Sequence, residues 1–233
     1  MLRIKTNKKV IMDSSNLENS SFGSSKLLIK KKKSIKSIKQ FLFNNLDPVE
    51  ELTVKSYITL KEINLLRINP KGYLPKIEEC IKHIIPNPEP KKNQFYIFAQ
   101  EKVPKTMLNR GEVAFRETMS LLSKMAPLPE YEYRDDLVIE VPENSKDWHL
   151  KEEHNSRIEN KKKELQAKYK SFAFHYDIGT HISNISIVLQ VVDDNLGFNG
   201  MRRLNLLSTS FKYVGIGHAK DKNKHCFYYF FAN

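Results

Sequence analysis

Seven histidines and two cysteines are the first places to look for chemistry in this chain: His83, His149, His154, His175, His181, His218 and His225, with Cys80 and Cys226. No histidine pair has the H-E-x-x-H spacing that sets two imidazoles and a general base on one helical face. Two cysteines cannot build a four-thiolate zinc site or a multi-bridge scaffold. Cys80 falls on the apolar side of a predicted helix and Cys226 in an apolar run, the setting of buried free thiols. His175 and His181 flank a candidate strand and read as satisfied core or surface side chains. A Ser–His–Asp triad needs no proximity in sequence and stays open. No G-x-S-x-G elbow supports one. The eight glycines form no phosphate-cradling loop, and Gly215-Ile216-Gly217 reads as close packing inside a strand. No cofactor is expected.

The elements that must position these groups follow from the spacing of apolar residues. Asp47-Pro48 is a helix start, an N-cap followed by proline at the first helical position. Leu52, Ile58, Leu60, Ile63, Leu65 and Leu66 continue it to a stop at Asn69-Pro70. A second helix is predicted over Pro75–Ile85, with Ile77, Cys80, Ile81, Ile84 and Ile85 at helical spacing. Residues 86–109 read as a loop holding one apolar run, Phe95–Phe98. A third helix covers Arg110–Met125. Leu137–Val141 alternates weakly, as a short strand would, and Ser145–Lys170 is a charged surface segment of mixed sign, helical or irregular. Ile185–Val192 is an apolar run ending in Asp193-Asp194. Tyr213–Gly217 and Cys226–Ala232 form a predicted hairpin whose second strand is apolar enough to be buried on both faces.

Charge is unevenly placed. The chain has 233 residues and a net charge of +12. The first forty residues hold eleven cations (Arg3, Lys5, Lys8, Lys9, Lys26, Lys30, Lys31, Lys32, Lys33, Lys36, Lys39) against Asp13 and Glu18, so +9 of the total lies there. Ser14–Ser25, with six serines, has little that could pack. The sequence therefore divides into a basic, low-complexity arm over residues 1–46 and a nearly balanced body over 47–233. Within the arm, Lys26–Phe43 spaces apolar residues among lysines as a basic helix would. Such an arm suits an acidic partner. Its aromatics are only Phe22, Phe41 and Phe43, few for a surface that stacks bases, so nucleic acid is the weaker expectation. No apolar run reaches the roughly 20 residues of a bilayer span, and Met1–Asp13 lacks the apolar core of a secretory signal.

Residues Ser186–Ala232, SIVLQVVDDNLGFNGMRRLNLLSTSFKYVGIGHAKDKNKHCFYYFFA, resemble the C-terminal half of the CAP superfamily (cysteine-rich secretory proteins, antigen 5 and pathogenesis-related 1 proteins), in the form found in protists. Upstream, NLLRINPKGYLPKIEECI (Asn64–Ile81) is similar to the family's first helix with its R-x-N-P core. Gly111–Leu137 is similar to the segment leading into the next family helix, and GTHIS (Gly179–Ser183) stands where the family has GENIS. The resemblance spans Leu52–Asn233 and leaves the arm outside. It implies an α–β–α sandwich, a small mainly antiparallel sheet between helical layers, with Leu137–Val141 helical.

The resemblance also implies a cleft of two histidines and two acidic residues, which in some members binds a divalent metal. Carried over residue by residue, that set becomes His154, Thr180, Ser186 and Met201. A thioether is a poor ligand for zinc or magnesium, and threonine supplies no carboxylate for acid–base work. The expectation is a degenerate CAP-like body with neither catalysis nor a metal. It would be a docking module whose arm lies on an acidic surface in a large assembly. The most specific form of that expectation is tubulin and neighbouring axonemal proteins in a ciliary doublet microtubule, in a reducing, cytoskeletal setting. Two alternatives remain: an RNA-binding component of a ribosome-like assembly, mitochondrial in one version, and a CAP-type hydrolase or lipid-binding CAP protein with an intact cleft or an apolar groove.

Overall fold

An unbroken run such as CFYYFFA is stable only when covered from both sides, and the rest of the architecture supplies the two covers. The computed structural model describes residues 48–91, 93–139, 152–179, 182–194, 200–221 and 224–233. The elements are α1 (Pro48–Ile68), a 3-10 turn (Lys71–Tyr73), α2 (Leu74–Ile81), β1 (Ile84–Lys91), β2 (Gln94–Phe98), β3 (Thr106–Leu108), α3 (Glu112–Lys124) and β4 (Glu132–Tyr133). A second 3-10 turn (Asp135–Leu137) follows, then α4 (Glu152–Lys168), β5 (Phe172–Gly179), α5 (Ser183–Val192), α6 (Met201–Leu206), β6 (Tyr213–Asp221) and β7 (Lys224–Ala232).

Four strands form one sheet in the order β4-β6-β7-β5, with β7 central and antiparallel to both long neighbours. Period-2 geometry sends successive β7 side chains to opposite faces. Phe227, Tyr229 and Phe231 join Val214 and Ile216 under α1, α2, α3, α5 and α6. Cys226, Tyr228, Phe230 and Ala232 meet Ile158 and Leu165 of α4, together with Leu137 and Ile139. Helices thus cover both faces of a small, mainly antiparallel sheet, the mixed architecture expected. On α4 the outward side carries the i,i+4 and i,i+3 ion pairs Arg157–Glu153 and Lys162–Glu159, while Lys161 reaches Glu164 from a mostly buried position, so the mixed charge run is a largely solvated helix face over its described part.

Three readings are corrected. The predicted helix over Pro75–Ile85 ends at Ile81, and Ile84-Ile85 open β1. Pro86, Pro88 and Pro90 cannot donate helical hydrogen bonds, but they sit at the edge of a sheet. Residues 86–109 are accordingly not a loop: β1, β2 and β3 make an antiparallel sheet of their own, turned at Asn93 with φ 60°. Leu137–Val141 is neither strand nor helix over its described part. Leu137 closes the 3-10 turn and Val138 is extended. The reason is Gly215, where a Cβ would lie 2.4 Å from the Leu137 carbonyl carbon, so the segment presses its backbone onto β6. The predicted basic helix Lys26–Phe43 lies outside the described residues, as does the whole of 1–47.

Two polar groups fasten the helices. Arg67, on the last turn of α1, is 1% exposed and donates to the carbonyls of Pro129 (2.7 Å), Leu206 (2.8 Å) and Ser208 (2.9 Å). Its guanidinium lies 3.6 Å from the Tyr131 ring centre. Asp194 accepts from the backbone N–H groups of Arg110 (2.9 Å) and Gly111 (2.8 Å), tying the end of α5 to the start of α3.

Candidate functional site

The cleft positions carried over from the resemblance do not assemble into one site. His154 lies on α4, 2% exposed, with its Nδ1 3.3 Å from the Tyr228 hydroxyl and its ring against Tyr176 and Tyr228. Tyr228 belongs to the β7 face covered by α4. Ser186 lies on α5, over the opposite face of the sheet, and is 1% exposed. The sheet therefore separates the two. Met201 begins α6 and is 46% exposed, so it fills no cleft. Thr180 lies outside the described residues, as do the arm cations Arg3, Lys5, Lys8, Lys9, Lys26, Lys30, Lys31, Lys32, Lys33, Lys36 and Lys39.

Around Ser186 the structure builds a different constellation. β5 places His175 and Asp177 on one sheet face because they are two residues apart on a strand. α5 places Ser186 and Gln190 one turn apart above them. The Ser186 hydroxyl donates to Asp177 Oδ2 at 2.8 Å, and Gln190 Nε2 donates to Ser186 Oγ (2.9 Å) and to the Tyr229 hydroxyl (3.0 Å). With both amide hydrogens so used, Gln190 Oε1 is the acceptor, 2.9 Å from His175 Nε2. That assigns the proton to Nε2 and leaves Nδ1 to accept from Asn205 Nδ2 at 3.1 Å.

Ser186, Gln190 and His175 are buried within this network, and Asp177 is half-buried at its edge. A nucleophilic serine needs a base on its hydroxyl and a path to substrate. Ser186 has a carboxylate on its hydroxyl but lacks the path, for it is sealed from water as His175 is, and His175 turns to an amide rather than to the serine. Burial pushes the His175 pKa from 6.5 down to about 3, which holds the ring neutral. Burial pushes the Asp177 carboxyl upward, opposed by nearby Arg202 and the Ser186 hydrogen bond. Burial also pushes the Cys80 and Cys226 thiols up to about 12, with Glu79 adding to the effect at Cys80 and the Tyr228 hydrogen bond opposing it at Cys226. Neither cysteine is an activated thiolate.

The strand between His175 and His181 is displaced from its expected place. β5 spans Phe172–Gly179 with His175 inside it, and His181 is outside the described residues. A second histidine pair, not singled out in the sequence, lies across the β6–β7 hairpin. His218 Nε2 and His225 Nδ1 are 2.9 Å apart with stacked rings, and His218 stacks in turn on Phe227. Among the described residues no group of three or more His, Cys, Asp or Glu side chains is placed to hold a metal ion, and no helix is long and apolar enough to cross a membrane.

Between α3 and α6 runs an open groove of about 450 Å³, lined by Leu121, Met125, Leu204, Leu207 and Phe211 with Arg203 at one side. Arg203 is committed elsewhere, donating to the Val191 and Val192 carbonyls and to Thr118 Oγ1. Comparison with known proteins finds no matching family model, no matching curated protein and no matching solved structure.

Asp177, Gln190 and Asn205 were not legible as a set. The available signal was Gln190, the one strongly polar residue between Ile187 and Val192, since an amide inside an apolar helix face must find buried partners.

Proposed function

We propose that this chain is a non-enzymatic structural protein, a CAP-like docking body carrying a basic arm that lies along an acidic protein surface. The most specific form of the proposal is a component of the ciliary doublet microtubule, with tubulin and neighbouring axonemal proteins as partners. The observation that carries it is the division of charge: +9 of the net +12 falls in the first forty residues. Such a segment gains its binding energy from long-range attraction and from release of counterions, whatever its conformation when free. The buried polar network supports a body without catalysis, because its serine and histidine are engaged with each other's neighbours and shielded from solvent. An RNA partner is the second reading, favoured by the same lysines.

Co-sedimentation with microtubules over a salt series tests the proposal. The full chain pellets saturably at low salt, and pelleting weakens as salt rises. Replacing Lys30, Lys31, Lys32 and Lys33 together by glutamine removes four of the arm's cations and weakens pelleting at every salt concentration. Absence of pelleting at low salt, or pelleting indifferent to the four substitutions, refutes an arm-driven microtubule protein. Tight, salt-sensitive binding to RNA in the same buffer would then favour the second reading.

A further inference from the structure

α1 is built with two sides. Ser56, Thr59, Leu60, Ile63, Leu66 and Arg67 are its buried side, which packs into the body. Val54, Ile58, Lys61, Leu65 and Ile68 form a second stripe, at successive spacings of four, three, four and three residues. At 3.6 residues per turn this stripe lies on the opposite side of the helix from the first. Ile58 is 40% exposed, Leu65 41% and Ile68 44%, with Tyr57 beside them at 55%. A surface helix ordinarily turns charge to water, as α4 does with its ion pairs Arg157–Glu153 and Lys162–Glu159. One exposed leucine needs no explanation, but an apolar row on the outer side marks a contact surface. The four-three repeat is the seam by which one helix takes another.

Charge decides which helix fits. Lys61 is the centre of the stripe, with its ammonium 4.6 Å from the Tyr57 ring centre and so held along the outer side. Glu62, the next residue, turns to Lys76 of α2 and leaves the seam without a carboxylate of its own. A second copy of α1 laid over the whole stripe, parallel or antiparallel, brings centre onto centre and Lys61 against Lys61. Like charges facing each other across a seam repel, and a carboxylate in that place attracts.

We propose that the outer stripe of α1 docks an amphipathic helix of another protein, apolar along its own four-three seam and carrying one glutamate or aspartate opposite Lys61. Ile58, Leu65 and Ile68 supply the apolar layers, read as helix-docking anchors are, at one-turn and two-turn spacings. Lys61 contributes register and choice of partner, because a helix with an apolar or basic residue in the central layer leaves the ammonium unmatched. The contact is independent of what the arm binds.

The test uses a synthetic helical peptide with leucine along a four-three seam and one glutamate in its central layer, and a second peptide with lysine in that place. Fluorescence anisotropy follows each labelled peptide as the full chain is added, in salt high enough to screen the basic arm, which a buried pair resists better. The glutamate peptide binds saturably and the lysine peptide about tenfold or more weakly. Lys61→Glu reverses that preference. Ile58→Gln and Leu65→Gln each weaken the glutamate peptide by about tenfold, with the urea midpoint of the chain unchanged because both side chains face water. Absence of binding by the glutamate peptide overturns the proposal. So does equal binding of the two peptides, or a preference that Lys61→Glu does not reverse, and these results stand even if the glutamine variants do not fold. A folded Leu65→Gln chain that binds as the parent does overturns it too. A dimer in sedimentation velocity that Leu65→Gln abolishes assigns the stripe to a second copy and also overturns it.

Discussion

Replacing Arg67 by methionine keeps the length of the side chain and removes its charge and its five donors. Three backbone carbonyls, those of Pro129, Leu206 and Ser208, then lose their partner. Hydrogen bonds to a charged donor contribute about 1.5–3 kcal/mol each, so simple addition gives roughly 5–9 kcal/mol. Two corrections lower that sum. The bonds to Pro129 and Ser208 are only partly buried, so water can reach those carbonyls in the variant. The guanidinium also loses hydration on folding, which pushes the Arg67 pKa below its ordinary value, and methionine bears no such penalty. The expected loss is about 3–5 kcal/mol, a large part of the roughly 5–15 kcal/mol that holds a domain of this kind together. Arg67→Lys keeps the charge but cannot reach three carbonyls in one plane while lying on the Tyr131 ring, and loses about 2–3 kcal/mol. Urea unfolding followed by far-ultraviolet circular dichroism gives both values. A loss under about 1 kcal/mol for the methionine variant refutes the view that this guanidinium joins α1 to the segments before β4 and β6.

Acid should weaken the fold through His175. Its pKa is about 3 in the folded chain and near 6.5 when unfolded, so the unfolded state takes up a proton first and stability falls as pH drops through that window. The contribution is about 2 kcal/mol between roughly pH 7.5 and 5, measured as the difference from His175→Gln, which lacks it. Asp177, with its carboxyl pushed upward, works in the opposite sense in both proteins and cancels in the comparison. Gly215→Ala drives a Cβ into the Leu137 backbone and should lower stability by about 1–3 kcal/mol in chemical denaturation, while alanine at Gly179, with nothing within 4 Å of the new atom, should cost far less. Asp194→Ala removes the acceptor of the Arg110 and Gly111 N–H groups and should lower the unfolding free energy by about 1–2 kcal/mol, with faster amide exchange at Gly111.

How much the sequence discloses depends on how local the deciding interaction is. Pro48–Ile68 and Glu112–Lys124 were readable because helical spacing and proline stops act within a few residues. β7 was readable because a nearly all-aromatic run permits one environment. The three-stranded sheet at 84–108 was not, because prolines that usually end regular structure are tolerated where a strand's outer side faces no partner. Leu137 was misread for a reason 78 residues away, the missing Cβ of Gly215. The cleft positions show the same limit. A matched motif places His154 and Ser186 in order along the chain, but only the sheet between them determines that they never meet.

The place of β7 in the sheet has a consequence for how the chain comes to fold. Its two long neighbours precede it, and neither pairs with the other, so the sheet has no hydrogen-bonded centre until residues 224–232 are in place. During synthesis α1, α2 and α3 emerge long before the strand whose Phe227, Tyr229 and Phe231 they pack against. Contacts across such sequence separations are slow to form, because loop closure must come before any gain from packing. Until then the apolar sides of those helices and the FAFHY stretch of β5 are exposed together, the condition under which unfinished chains aggregate. A ribosome stalled before Lys224 should therefore hold a chain that binds chaperones and resists no protease. Release of one further hairpin strand should convert it to the folded body in a single cooperative step.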